Sequence, residues 1–368
     1  MPRHRVLAIS KPVVPPWSDS SKNLVRDLLL GAESTGFRVL TDGTHRFGLP
    51  HVREVPVYAS NNHYSPTVWQ NARIVSSIVR SNKREIHHYF YAPNRRTASV
   101  AKVLETIKRN PSIQTICSVP HSFHHAKQLF FADVNVALST FTANRLREAG
   151  VNDVRIIRPS TPQLQRTPRP TRESRQQSHP ELPDTKYVVL YPGDYSFSDT
   201  AVRVAEAALR LKDNKDIGWV FACRIKDDDS LGVEQAVKRM LRPIGERVCF
   251  LNHVNKIIEL LAACDLTVLP AESTYAKMDI PLVLLEAMAL GRPVIVSNRP
   301  PIAELADLGG ALASEAGSAH SLADNIVALL EDEAEYESWS DRGARVVAES
   351  FDRTQTARAY EAIYRDLS

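Results

Sequence analysis

Cysteine is scarce in this sequence. Cys117, Cys223, Cys249 and Cys264 are the only four among 368 residues, and no two stand at a metal-binding spacing. That excludes a zinc-ribbon or disulfide-scaffold protein. Each lies in or beside an apolar stretch, which fits buried free thiols in a reducing compartment. No apolar run reaches the roughly 20 residues needed to span a bilayer. The opening MPRHRVLAIS enters a strand directly and lacks the pattern of a secretory leader. No nucleic-acid-binding motif is present either. The expectation is a cytoplasmic protein, with peripheral contact at the inner face of a membrane as the remaining membrane role.

What is present is enough for two domains. A chain of 368 residues with 43% hydrophobic content can fill two cores. Residues 1–161 form a first domain and residues 186–350 a second. Between them, residues 162–185 (PQLQRTPRPTRESRQQSHPELPDT) are nearly devoid of apolar side chains and read as a flexible linker. Residues 351–368 read as a terminal helix, with Tyr360, Ile363 and Tyr364 as its buried stripe. Charge is unevenly spread. Residues 1–161 carry 22 Lys and Arg against 10 Asp and Glu, a net +12, whereas the remainder carries 24 against 32, a net −8. A basic first half suits an anionic partner. Within it, a helix is expected from Ser65–Pro66 to about Ser81. Val68, Ala72, Val75, Ile78 and Val79 form its apolar side. Arg73, Arg80, Lys83 and Arg84 form a solvated basic face, with docking on anionic lipid head groups as the functional alternative.

The most informative stretch runs from Ala263 to Glu304. Leu266 to Pro270 is a buried-type strand, and Ala271 to Ile280 is an irregular loop. Pro281 pre-sets the first turn of a helix that Gly291 stops, and a second buried strand follows from Pro293 to Val296. A strand–helix–strand unit of this length makes parallel strands with a right-handed crossover. Ligands of such sheets bind at the carboxyl ends of the strands. Free amides at Leu282 and Val283, with the helix dipole behind them, favour a phosphate there. Glu286, one turn in, is placed to accept hydrogen bonds from sugar hydroxyls. By the same topology, Arg95 and Arg96 follow a strand's carboxyl end in the first domain. So do Arg224 and Lys226 in the second.

The run PLVLLEAMALGRPVIVS, followed by Glu304, resembles the donor-site signature of the family-four retaining glycosyltransferases, the glycosyl transferases group 1. The resemblance implies α/β GT-B architecture: two doubly wound Rossmann-like domains facing a cleft. It implies transfer of a sugar from a nucleotide-sugar to a hydroxyl acceptor, anionic or lipid-linked, with retention at the anomeric carbon. It calls for no cofactor and no metal, and it leaves no role for nucleic acid. In the family's signature two glutamates are separated by seven residues. The second, which holds the ribose, maps to Glu286. The first falls on Met278, with the carboxylate of Asp279 one position away as the stand-in. The family's diphosphate-binding amides map to Leu282 and Val283, and its histidine facing the reacting centre maps to His121.

The departures are specific. The family's paired glycines after the first strand are replaced by Trp17, Ser18 and Asp19, which, with Arg95, are expected on the acceptor side. The arginine and lysine that usually grip the diphosphate fall on Asp194 and Asp199. Arg224, Lys226 and Lys277 are the expected replacements, unless Arg224 and Lys226 pair with Asp227, Asp228 or Asp229. Two rival readings follow from these departures: a non-catalytic GT-B binding or scaffold subunit, and a nucleotide-sugar epimerase.

Overall fold

The computed structural model describes residues 4–17, 19–59, 67–90, 94–119, 126–195, 199–275 and 277–368. The chain divides into two units. The first comprises Met1–Ser160, Tyr275–Asp279 and Asp352–Ser368, and the second Thr161–Thr274 and Ile280–Phe351.

The first unit is built on seven strands: β1 (His4–Ile9), β2 (Thr35–Thr41), β3 (Val52–Pro56), β4 (Ile86–Tyr89), β5 (Ser112–Ile116), β6 (Val134–Ala137) and β7 (Val154–Ile156). Their order is β3-β2-β1-β4-β5-β6-β7, and every pairing is parallel. Val6, Leu7, Ala8 and Ile9 of β1 are all buried, as a central strand covered on both faces requires. Helices α1 (Ser20–Gly31), α2 (Val68–Val79), α3 (Arg95–Lys108) and α4 (Thr140–Glu148) make the crossovers. Asp19, Thr67, Asn94 and Ser139 cap them with side-chain oxygens.

The second unit opens with α5 (Arg172–Ser178). Six parallel strands follow: β8 (Tyr187–Tyr191), β9 (Ile217–Ala222), β10 (Val248–Leu251), β11 (Leu266–Leu269), β12 (Val294–Ser297) and β13 (Leu312–Ser314). They are ordered β10-β9-β8-β11-β12-β13. Its remaining helices are α6 (Thr200–Arg210), α7 (Asp228–Met240), α8 (Ile257–Ala263), α9 (Leu282–Ala289), α10 (Glu304–Asp307), α11 (Ala319–Glu331) and α12 (Glu333–Ser350).

The last helix, α13 (Arg353–Asp366), lies on α1 and β1 of the first unit. It comes so close that a Cβ on Gly31 would meet the Arg353 carbonyl at 2.8 Å. Tyr360, Ile363 and Tyr364 are buried. His88 Nδ1 lies 2.7 Å from Tyr364 Oη, and His88 Nε2 lies 2.7 Å from Thr115 Oγ1. Complete burial pushes the His88 pKa well down, so this ring is a neutral core group.

Two expectations are corrected. Residues 162–185, read as a flexible linker, are fastened to the second unit. Arg175, inside α5, is almost wholly buried. Its guanidinium donates to the Asp265 carboxylate at 2.5 Å and to the Ala263 and Thr185 carbonyls at 2.9 Å. Arg169 reaches the other oxygen of Asp265 at 3.1 Å and stacks 3.8 Å from the Tyr336 ring centre. Arg292 holds the strap from beneath through the Thr167 and Pro168 carbonyls. The stretch looks disordered because its anchors are arginines, which composition counts as solvent-loving. Burial works to raise the Asp265 pKa, and the two arginines oppose it.

The second correction concerns α2. It buries Gln70, Ile74 and Ile78, while Val68, Trp69, Ala72 and Val79 face solvent. The side expected to be the core face is, apart from Ile78 and the half-buried Val75, the outer one.

Candidate functional site

In the second sheet the chain runs from β8 to β9 and β10 in one direction, and from β11 to β12 and β13 in the other. The reversal makes a crevice at the carboxyl ends of β8 and β11, where open α/β sheets bind ligands. Three loops reach that edge: Pro192 onward from β8, Cys223 to Asp227 from β9, and Pro270 onward from β11, which leads into α9.

Helix α9 begins at this crevice. Its N-cap is Pro281, which makes no side-chain capping bond. The first amides, those of Leu282 and Val283, are therefore not satisfied by a capping side chain, in contrast to α1, α2, α3 and α4. Seven of the eight residues of α9 are buried, Glu286 among them at 7% exposure. A carboxylate held in this position needs polar partners, since burying one alone is costly. The end of β12 braces the neighbouring loop, with Ser297 Oγ donating to the Ala271 carbonyl at 2.5 Å.

The β8 loop shows why Gly193 is a glycine. A Cβ there would fall 1.8 Å from the Tyr191 ring. That ring is buried under the turn, and its hydroxyl bonds both the amide and the carbonyl of Asp194, at 3.2 and 3.1 Å. The turn is thus held from below by a tyrosine. Asp194, at the position of the family's phosphate-binding arginine, is buried and forms an ion pair with Lys226 at 2.5 Å. Its backbone also bridges to Arg224. Asp194 and Lys226 thus neutralise each other, so Lys226 does not stand as a replacement phosphate cation by itself. Asp227 instead caps α7 through the Ser230 amide at 2.8 Å. Asp199 is exposed at the N-cap of α6 and makes no capping bond there.

Arg224, Lys226, Leu282, Val283 and Glu286 therefore share the carboxyl edge of one sheet. Lys277, Met278 and Asp279 belong to a segment that groups with the first unit. The Asp279 amide donates to the Cys117 carbonyl at 2.8 Å, and Ser139 Oγ donates to its carboxylate at 2.5 Å. Asp279 is 1% exposed and Met278 2%. Ser139 also caps α4, so Asp279 braces a loop against a helix start. Burial and the Asp279 carboxylate push the Cys117 thiol up to about 12, which leaves it inert as a nucleophile at neutral pH.

In the first unit the loop after β1 is braced by side chains where the family has paired glycines. Lys11 Nζ lies 2.8 Å from Asp19, whose other oxygen accepts from the Ser21 amide at 2.9 Å. Burial works to raise the Asp19 pKa, but Lys11 and Ser21 outweigh it and hold the carboxyl down to about 2. Trp17 packs edge-on against His45 at 5.6 Å and near Phe47, with the Arg26 guanidinium 5.2 Å over its ring. This is a packed aromatic cluster, not an open stacking platform. Arg95 is exposed in the first turn of α3. Ser18 and His121 lie outside the described residues. Sequence reasoning missed the Asp194–Lys226 pair and the Tyr191 support. The three-residue spacing of Tyr191 and Asp194 was the only available signal for the support.

Comparison with known proteins agrees with this geometry. Residues 172–346 match the family model described as Glycosyl transferases group 1. The matched segment lies almost wholly within the second unit. N-acetyl-alpha-D-glucosaminyl L-malate synthase of Bacillus anthracis is 36% identical over 127 residues, 34% of this chain, and the match spans about a third (32%) of that relative's length. Among solved structures, sucrose-phosphate synthase of Thermosynechococcus elongatus superposes with a TM-score of 0.78 at 18% identity, over 99% of each chain. Alr3699/HepE of Anabaena, solved with UDP and glucose, superposes with a TM-score of 0.75 at 16% identity, over 98% of this chain and 99% of its own. These likenesses establish the fold of this chain as GT-B, with two Rossmann-like units.

Proposed function

We propose that this chain is a glycosyltransferase that moves a sugar from a nucleotide-sugar, UDP-linked by analogy with the Anabaena neighbour, to a hydroxyl acceptor with retention at the anomeric carbon. The observation that carries the reading is α9. Its uncapped amides stand at the switch-point crevice of the second sheet, with a buried glutamate one turn behind them. Its sequence lies inside the matched family segment. In the proposed reaction the bond between the anomeric carbon and the diphosphate oxygen breaks. A bond from that carbon to the acceptor oxygen forms on the same face, and the acceptor proton passes to the departing diphosphate. The Leu282 and Val283 amides and the Arg224 guanidinium stabilise the leaving charge, while Glu286 orients the ribose. His121 is the proposed group at the sugar or acceptor. A thermal-shift screen against nucleoside diphosphates and their sugars tests the donor. A specific ligand at a hundred times its dissociation constant adds about 2.7 kcal/mol of stability. Absence of any shift with every nucleotide would remove the donor site.

The Asp194–Lys226 pair favours a second reading, a GT-B subunit that binds but does not catalyse, because it removes net positive charge where a diphosphate would leave. Nucleotide binding without hydrolysis or transfer of a bound nucleotide-sugar would select that reading.

A further inference from the structure

Eleven large apolar side chains are exposed among the described residues, and six of them lie on two helices of the first unit: Val68, Trp69 and Val79 on α2, and Val100, Val103 and Ile107 on α3. The two helices pack against each other. Trp69 is 81% exposed and Ile107 73%. The spacing is regular. Val100, Val103 and Ile107 follow one another at three and four residues, so they form one stripe along the outer side of α3. Arg95, Lys102 and Arg109, all exposed, form a second stripe beside it. On α2, Trp69, Arg73 and Arg80 are exposed on one side of the helix.

The charge of this surface is of one sign. Residues 67–109 contain nine Lys and Arg and two acidic residues. Both acids are buried. Glu85 accepts from Arg38 at 2.7 Å, and Glu105 is engaged by His87 and Tyr89. The exposed face of α2 and α3 is therefore apolar and cationic, with no carboxylate from this segment at its surface.

We propose that the α2–α3 face docks on an anionic phospholipid bilayer, with Trp69, Ile107 and the valines entering the acyl boundary and the arginines and lysines meeting the head groups. An exposed aliphatic stripe beside a basic one is the pattern of helices that lie in the membrane interface, and tryptophan is the residue enriched at that depth. A nucleic acid would meet the cations but offers nothing to the valine and isoleucine stripe. The inference does not depend on the donor chemistry proposed above.

The test is co-sedimentation of the full chain with vesicles of phosphatidylcholine alone and of phosphatidylcholine mixed with phosphatidylglycerol. The expected result is binding to the mixed vesicles, weakened by added salt, and little binding to the neutral ones. Trp69→Ser with Ile107→Ser should weaken binding roughly tenfold or more, from the apolar area no longer buried. Arg73→Glu with Arg80→Glu should weaken it by at least about fivefold per position. All four side chains are exposed, so the melting temperature should stay put, which separates lost docking from lost folding. Tryptophan emission should be quenched by brominated lipid in the parent chain and spared in Trp69→Phe. Failure of the parent chain to bind mixed vesicles would overturn the proposal. So would equal binding by parent and variants. Retention on a DNA oligonucleotide without vesicle binding would replace the bilayer with an acidic macromolecule.

Discussion

Helices α2 and α9 both carry apolar residues at helical spacing, and they end in opposite circumstances. Helix α9 is buried on nearly every side, and its glutamate is buried with it. Helix α2 buries a glutamine and two isoleucines and turns a tryptophan and two valines outward. Apolar periodicity identifies a helix and a stripe, but the stripe meets whatever lies beside it, and the sheet decides which side that is. The same contrast runs through the two units. The second holds the buried Arg175–Asp265 pair, whereas nine of the eleven exposed large apolar side chains among the described residues lie in the first.

The hardest blow to that contrast is Arg175→Ala. It leaves the buried Asp265 carboxylate with Arg169 and the Val188 amide and should cost about 3–5 kcal/mol in urea unfolding. A loss below about 1 kcal/mol would mean that the strap is not part of the second unit's core. Next comes Leu285→Ala in α9, which removes a fully buried side chain and should cost about 2–5 kcal/mol by the same measurement.

Glu286→Gln sharpens the comparison at the proposed site. Nucleotide affinity should fall by about 1.5–3 kcal/mol in isothermal titration while the circular dichroism spectrum is unchanged. Unchanged affinity would take Glu286 out of the site.

In the first unit, Asp19→Asn tests the braced loop through pH. The folded carboxyl titrates at about 2, below its ordinary 3.8. Its stabilisation is therefore present above pH 3.8 and is lost as pH falls toward 2. The parent chain should exceed the variant by at most about 2 kcal/mol at neutral pH, with the gap closing in acid. A gap that persists at the acid end would assign the effect to packing. The smallest expected effect is that of Trp69→Ala, within about 0.5 kcal/mol, since that ring is exposed.

The central α/β units were legible because their strands are continuous apolar runs and their helix ends are marked by Pro281 and Gly291. The crevice followed from topology alone. Other features were hidden for physical reasons. Asp194 and Lys226 are 32 residues apart, so only the pairing of neighbouring strands brings them together. The orientation of α2 depends on a packing surface that no local pattern contains. The strap was obscured because arginine is both the signature of a solvated linker and, when its fork finds a carboxylate and carbonyls, a buried anchor. Asp279 sat one position from the family's glutamate, and nothing in its own sequence showed that Ser139 would engage it.

The strap also decides where this protein can be cut. A fragment starting at Tyr187, at the first strand of the second sheet, would leave Asp265 without Arg175 and Arg169 and Arg292 without the Thr167 and Pro168 carbonyls. A fragment starting at Thr161 keeps all of them. Exchange of second units between relatives should therefore place its junction before residue 161, because the 25 residues ahead of Lys186 belong to the module that follows them.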